Sequence, residues 1–366
     1  MTYKINQKKL YFIAEAGVNH NGDCKLALKL VDAAISAGAD AIKFQTFKSE
    51  NLVSHSAVKA DYQKLRTRKN ESQFEMLKSL ELSEKEYFQI KKYCQKKKID
   101  FITTAFDEDS LQFIVKKLKV KILKIPSGEI TNGPLLLAHG LTGLKIILST
   151  GMSSIQEIRE ALSVIVYGYM NKNKKFNNLT KKAFLKALNS KKGQSILKKK
   201  ITILHCTTEY PAPIDDINLD AIYDVLKNFN ANIGYSDHSK GELVSLAAAS
   251  MGVKIIEKHF TLNQNMVGPD HKASLNPAEL KSLIRKIRKI ETIKGIKVKK
   301  AYKSEIKNIH IARKVLIARK EIRIGEKFND QNMTAKRAGK GINPMNYWKY
   351  LGKKSTRVYK KDEIIK

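Results

Sequence analysis

Two histidines, His238 and His259, close two short apolar runs, NIGYSDHS and VKIIEKHFT, and each has an acid nearby, Asp237 and Glu257. An apolar, β-branched run that stops abruptly in polar residues is how a buried parallel strand reads where its carboxyl end opens into a site. Two imidazoles at the ends of neighbouring strands can grip one metal ion from one side and leave its other positions open. Hydrogen-bonded core histidines are the alternative. Two lysines stand in equally telling places, Lys43 in AIKFQ and Lys124 in ILKIPSGE. A buried strand has no structural use for a lysine beyond one that snorkels out at its end. Two of them, with hydroxyls close by, suit a ligand carrying phosphate and carboxylate.

These residues need strands to carry them. From Leu10 to Phe260 the chain repeats a short apolar run, a polar loop and an amphipathic helix. The runs are YFIAEAG, ADAIKFQTF, IDFITTAF, VKILKIPSGE, KIILSTGM, ITILHCT, NIGYSDHS and VKIIEKHFT. Helix-like segments separate them, among them CKLALKLVDAAISAG and SEKEYFQIKKYCQKK, the latter opened by a capping-box pair, Ser83 and Glu86. Eight such units in about 250 residues predict an α/β fold, a closed (β/α)8 TIM barrel over 1–292. An open doubly wound sheet is the alternative, but no Gly-rich dinucleotide turn follows the first run.

In a barrel the carboxyl ends of the strands form the mouth. They carry Glu15, Asn19 and His20; Lys43 and Gln45; Thr103 and Thr104; Lys124, Ser127 and Glu129; Ser149 and Thr150; Thr207 and Tyr210; Ser236 and His238; Glu257 and His259. SGE and STG add backbone N–H groups at helix starts, which favour anions. The long segment Lys48–Leu82 is placed to cover this mouth. Residues 169–200 read as a surface excursion or a partly disordered stretch, because 171–200 holds 11 lysines and no acid. After a basic helix ending near Gly295, a linker over 293–308 leads to a small β-rich domain over 309–366.

Composition narrows the function. The chain has 366 residues, 42% of them hydrophobic, and no run long enough to span a membrane. Its three cysteines, Cys24, Cys94 and Cys206, have no paired spacing, and no signal-peptide pattern opens the sequence, so a cytoplasmic location is expected. The net charge is +34. The basic residues are scattered along helices without interleaved aromatics, which argues against a dedicated nucleic-acid reader and leaves weak, salt-sensitive binding.

IAEAGVNHNG, KFQTFK, KIPSGEIT, ILSTGM, HCTTEYPAP, GYSDHS, EKHFTL, GPDHKAS and KRAGKGI together resemble the bacterial sialic acid synthase family, in the family's order and over nearly the whole chain. The resemblance implies a TIM barrel followed by an antifreeze-like (SAF) domain, a homodimer that swaps this domain, and a divalent cofactor, Mn2+ or Mg2+. His238 and His259 match the metal ligands, and Glu15 an acid beside the metal. Lys43, Thr104, Lys124, Ser127, Ser149 and Ser236 match groups that hold phosphoenolpyruvate. Gln45, Glu129, Tyr210 and Asp270 match sugar contacts, and Arg337 an arginine that enters the partner's site. Ala105, Ala338 and Lys340 depart from the family's usual residues, which bears most on Arg337. His20, His205 and Cys206 are read as structural.

The activity so implied is condensation of phosphoenolpyruvate with N-acetylmannosamine and water to N-acetylneuraminate and phosphate. The alternative acceptor is 2,4-diacetamido-2,4,6-trideoxymannose, giving N,N'-diacetyllegionaminate. PSGEITN and CTTEYPAP favour these two over the pseudaminate branch. Two rivals remain: a pyruvate aldolase on the same fold, in which one lysine is the nucleophile, and a basic nucleic-acid-binding protein with a vestigial barrel and no catalysis.

Overall fold

A computed structural model of the chain describes residues 9–64, 66–67, 71–172, 179–296 and 298–366. It contains two compact units, Met1–Gly295 and Ile296–Lys366.

In the first unit the eight apolar runs form β1 (Tyr11–Gly17), β2 (Ala41–Thr46), β3 (Asp100–Ala105), β4 (Ile122–Ile125), β5 (Lys145–Ser149), β6 (Ile201–His205), β7 (Asn232–Asp237) and β8 (Ile255–His259). All pair in parallel, in sequence order, and β8 closes on β1. The strands are buried on both faces, which is why they read as near-continuous apolar runs. Outward residues such as Phe12, Ile42 and Leu123 join the helices in one large core. Inward residues form a second, smaller layer of Ile13, Ala41, Ile102, Ile122, Ile147, Leu204 and Ile255. That layer fills the barrel as side chains fill such barrels generally.

Helices follow every strand. Glu84–Lys97 starts at the capping box of Ser83 and Glu86, with both reciprocal hydrogen bonds formed. Lys48–Leu82 is not a bare loop: it holds the short helices Ser49–Leu52 and Asp61–Lys64 and a longer one, Gln73–Leu80, capped by Ser72 and Glu75. Part of the expected excursion at 169–200 is also ordered. Residues 173–178 lie outside the described residues, but Lys181–Asn189 and Lys191–Lys200 are helices. Thr180 and Ser190 cap them, and Ala187, Leu188 and Leu197 are buried, so a few apolar residues at helical spacing outweigh the lysines around them. Among the described residues no helix is long and apolar enough to cross a membrane.

The second unit holds the helix Lys303–Ala312 and an antiparallel pair, β9 (Val315–Ala318) and β10 (Met333–Lys336). Isolated bridges Ile317 to Ile364 and Ile322 to Tyr359 extend this pairing. Leu316, Ala318, Ile322, Phe328, Met333, Tyr359 and Ile365 make its core.

Candidate active site

Side chains alternate across a strand, so the residue two beyond an inward isoleucine or alanine also points inward. Two beyond Ile13, Ala41, Ile102, Ile122, Ile147 and Ile255 come Glu15, Lys43, Thr104, Lys124, Ser149 and Glu257. A polar layer therefore lies directly on the apolar one, at the carboxyl ends of the strands. Register brings Glu15 beside Lys43, Thr104 beside Lys124, and Ser236 beside Glu257. All seven of these residues are buried, yet they line one cavity of about 250 Å3.

Buried lysines at this depth need carboxylates, and two are present. Lys43 Nζ lies 2.7 Å from Glu15 Oε1 and 3.7 Å from Glu257 Oε2. Lys124 Nζ donates to Glu257 Oε1 at 2.8 Å. Ser236 Oγ donates to Glu257 Oε1 at 2.9 Å, and Lys43 Nζ reaches Thr104 Oγ1 at 3.3 Å. Burial disfavours an ionised Glu257, but Lys124 and Lys43 outweigh it and hold its carboxyl below the usual range. Burial dominates at Glu15, with Glu257 adding to it and Lys43 opposing, and its pKa is pushed up to about 7. Lys43 is raised: burial alone would lower it, and Glu15 and Glu257 more than offset that. Glu257 was read from sequence as an acid near His259 at the barrel mouth and given no role. Its period-two spacing from His259 was the signal that it faces the site.

His238 and His259 come together just above this layer, ring centroids 5.7 Å apart. His238 Nδ1 donates to the Thr207 carbonyl at 2.6 Å, which turns Nε2 toward Ser236 Oγ at 3.4 Å and the Tyr210 hydroxyl at 3.2 Å. His259 Nδ1 is buried with no hydrogen-bond partner, 3.8 Å from Asp270 Oδ2. Burial lowers the His238 pKa to about 4 and that of His259 well below its ordinary value. Two neutral imidazoles, one nitrogen buried and unpartnered, fit a divalent cation. Among the described residues no group of three or more His, Cys, Asp or Glu side chains has metal-site spacing, so water or substrate would complete the coordination.

The remaining expected residues are distributed around this centre. Ser127 sits at the start of a 3-10 turn after β4, where its Oγ accepts from Gly151 N at 2.9 Å and lies 3.2 Å from Cys206 Sγ. Gly151 has to be glycine, because a Cβ there would lie 2.0 Å from Thr208 Oγ1. Cys206, read as structural, thus touches a site residue. Gln45 Nε2 points to Glu15 Oε1 at 3.5 Å. Asp270 comes from the loop after β8, and burial raises its pKa to about 6, opposed by Arg66 and Lys43. Gln63, Met76, Leu77 and Leu80 of the segment after β2 also line the cavity, so these described parts of the segment lie at the mouth. Glu15 Oε2, Ser149 Oγ, Thr208 Oγ1 and Glu257 Oε2 join His259 Nδ1 as buried atoms without hydrogen bonds, all on this cavity.

One expected sugar contact is not brought to it. Glu129 is outside the lining and accepts from Asn132 Nδ2 at 2.7 Å. Arg337 belongs to the second unit, exposed just beyond β10. His20 and His205 hold backbone groups: Gly22 N donates to His20 Nδ1 at 3.1 Å, and His205 Nε2 is 2.8 Å from the Ile217 carbonyl.

The sequence profile described as "NeuB family" matches residues 30–299. The N,N'-diacetyllegionaminic acid synthase of Campylobacter jejuni is 47% identical over 359 residues, 98% of this chain and 99% of that protein. The Legionella pneumophila protein of the same name is 40% identical, over 93% of this chain and 89% of its own length. A crystal structure of N-acetylneuraminic acid synthetase from Leptospira borgpetersenii, in complex with citrate, superposes with a TM-score of 0.66 at 34% identity. It covers 83% of this chain and 91% of that one. Human N-acetylneuraminate-9-phosphate synthase is 29% identical over 98% of this chain and 92% of its own length.

Proposed function

This chain belongs to the NeuB family, and from that membership and the geometry of its barrel mouth we propose that it condenses phosphoenolpyruvate with an acylated amino sugar and water. The products are a nine-carbon 2-keto acid and phosphate. The observation that carries the reading is the convergence of Lys43 and Lys124 with His238 and His259 on one buried cavity.

Lys43, Lys124, Thr104, Ser127, Ser149 and Ser236 bind and orient phosphoenolpyruvate, and the buried hydroxyl of Ser149 has its hydrogen-bonding capacity free for it. Gln45, Tyr210 and Asp270 face the sugar. His238 and His259 would hold a divalent cation, Mn2+ or Mg2+, which when bound supplies Lewis-acid polarisation of the sugar aldehyde. C3 of phosphoenolpyruvate forms the new bond to that aldehyde carbon, and water adds at C2. Glu15, half ionised near neutral pH, takes the proton of that water. The C2–O bond to phosphate then breaks, and the two lysines keep the leaving group in place. No lysine becomes covalently attached. Each lysine is tied to a carboxylate, and Glu15 and Glu257 raise the pKa of Lys43, which leaves it a poor nucleophile and disfavours the aldolase alternative there.

For the acceptor, the sequence alone leaned to N-acetylmannosamine. The relatives at 47% and 40% identity are named for N,N'-diacetyllegionaminic acid, whereas those named for N-acetylneuraminic acid or its 9-phosphate share 34% and 29%. The proposed acceptor is therefore 2,4-diacetamido-2,4,6-trideoxymannose. The second unit would act as an SAF-type cap whose Arg337 reaches the site of a partner chain in a homodimer. Phosphate release from phosphoenolpyruvate, measured with each sugar, tests the reading. Faster release with the diacetamido sugar is expected. Preference for N-acetylmannosamine restores the other acceptor, and no release with either refutes the activity.

A further inference from the structure

The barrel has a second concavity at its other end. It measures about 610 Å3 and is lined by the residues that open the strands: Lys9 before β1, Lys145 at the start of β5, and Lys254 before β8. Lys198, Lys199 and Lys200 complete the rim at the end of the helix that leads into β6. Its floor is isoleucine, with Ile122, Ile147 and Ile255 belonging to the apolar layer that carries Lys124, Ser149 and Glu257 on its opposite side.

Six of the thirteen lining residues are lysine and none is acidic, against 69 basic residues in 366 for the whole chain. The general positive charge of the surface does not account for that concentration. Lys9 is paired with Asp40 at 3.1 Å, and Lys200 Nζ donates to the Gly143 carbonyl at 3.2 Å. Lys145, Lys198 and Lys199 have no carboxylate partner among the described residues. Three cations facing one concavity repel each other until an anion enters, and field lines focus in such a cleft. The size lies within the range of small-molecule pockets. No aromatic residue lines it, so it lacks the stacking platform that single-stranded RNA uses.

We propose that this amino-end cavity binds a small polyanion with two or more phosphates on an apolar or planar body, of the nucleoside polyphosphate type. The lysines hold the phosphates and the isoleucine floor takes the body. The site is distinct from the mouth and separated from it by a single layer of side chains.

Calorimetric titration of the full-length protein at about 0.15 M salt tests this with ATP, inorganic tripolyphosphate and a short single-stranded RNA as probes. ATP should bind at one site per chain and more tightly than tripolyphosphate. The combined changes Lys145→Gln, Lys198→Gln and Lys199→Gln should weaken ATP roughly tenfold or more, with thermal melting unchanged. Should that variant fail to fold, the exposed single change Lys199→Gln gives the same comparison at smaller amplitude. Replacing the exposed Lys96, Lys227 and Lys281 with Gln should leave binding alone, as should the mouth variant combining Lys124→Met and Glu257→Gln. Absence of ATP binding, an equal loss in the surface control, or loss in the mouth variant would overturn the proposal. So would RNA binding tighter than ATP through the same lysines, and tripolyphosphate equal to ATP would remove the assigned body.

Discussion

Lys124→Met tests how the mouth is held together. Lys124 Nζ is buried and donates to Glu257 Oε1 at 2.8 Å. Without it, Glu257 keeps only the Ser236 hydroxyl at 2.9 Å and the more distant Lys43 at 3.7 Å. Removing one partner of a buried ion pair costs roughly 3–5 kcal/mol, because the other charge is left uncompensated. Adding Glu257→Gln removes that charge and should return about 1–3 kcal/mol of the loss. The sign of the pH effect follows from the carboxyl being held below its usual 4.5. The pair's stabilisation is fully present above that value and lost as pH falls below it, so the variants should converge in acid. On the proposed function the same change removes a charge-assisted contact to phosphoenolpyruvate worth roughly 1.5–3 kcal/mol, or about a 10- to 150-fold rise in its KM. The KM for the sugar should move far less. Denaturant unfolding of the single and double variants, read from the same transition, gives the first quantity, and phosphate-release kinetics the second. Additive destabilisation in the double variant, or a rise confined to the sugar KM, would refute the arrangement. Borohydride trapping of a pyruvyl adduct on Lys43 or Lys124 would establish the aldolase reading instead.

Chelation of divalent cations should abolish phosphate release and Mn2+ should restore it; full turnover by metal-free protein would remove the role given to His238 and His259. Because burial pushes the Glu15 pKa up to about 7, a base role for it requires kcat/KM to rise with pH and level off above that value, and Glu15→Gln should lose both activity and this limb. Mixed dimers of His238→Ala and Arg337→Ala chains should recover activity in half of their sites if the second unit caps a partner's barrel. Verified mixed dimers without recovery would make Arg337 a contact within its own chain or a surface residue.

The strands and the inward residues were legible because burial on both faces leaves a continuous apolar run, against which one lysine stands out. Lys43 in AIKFQ and Lys124 in ILKIPSGE are such cases. Their pairing with the two acids was not legible. Glu15 and Glu257 come together only because β8 closes on β1 across 240 residues of chain, and no local pattern specifies that register. Glu129, expected to face the sugar, lies outside the cavity lining for a local reason: the 3-10 turn Ser127–Glu129 places it against Asn132. The helices at 181–200 were hidden by lysine content, although Thr180 and Ser190 are good N-cap residues and Ala187, Leu188 and Leu197 have helical spacing. The acceptor sugar was unreadable because the motifs shared by the family serve the chemistry common to all its acceptors.

The two buried acids look at first like a defect in an anion site, since each repels the ligand that the lysines attract. Their effect on the lysines explains them. Burial would pull the pKa of Lys43 down, and Glu15 and Glu257 more than offset this, while the carboxylates fix the Nζ of both lysines in place. The repulsion is then limited by making the two acids unequal. Glu257 has two lysines and a hydroxyl and stays ionised; Glu15 has one lysine, lies beside Glu257, and is pushed up to about 7. Around neutral pH the two acids therefore bring less than two full negative charges to the layer, which preserves the attraction of the lysines for an incoming phosphate. An anion that enters raises the Glu15 pKa further, and one that leaves lowers it. A carboxyl poised near its midpoint is cheap to switch in either direction, the property required of a group that accepts a proton in one step and returns it in the next.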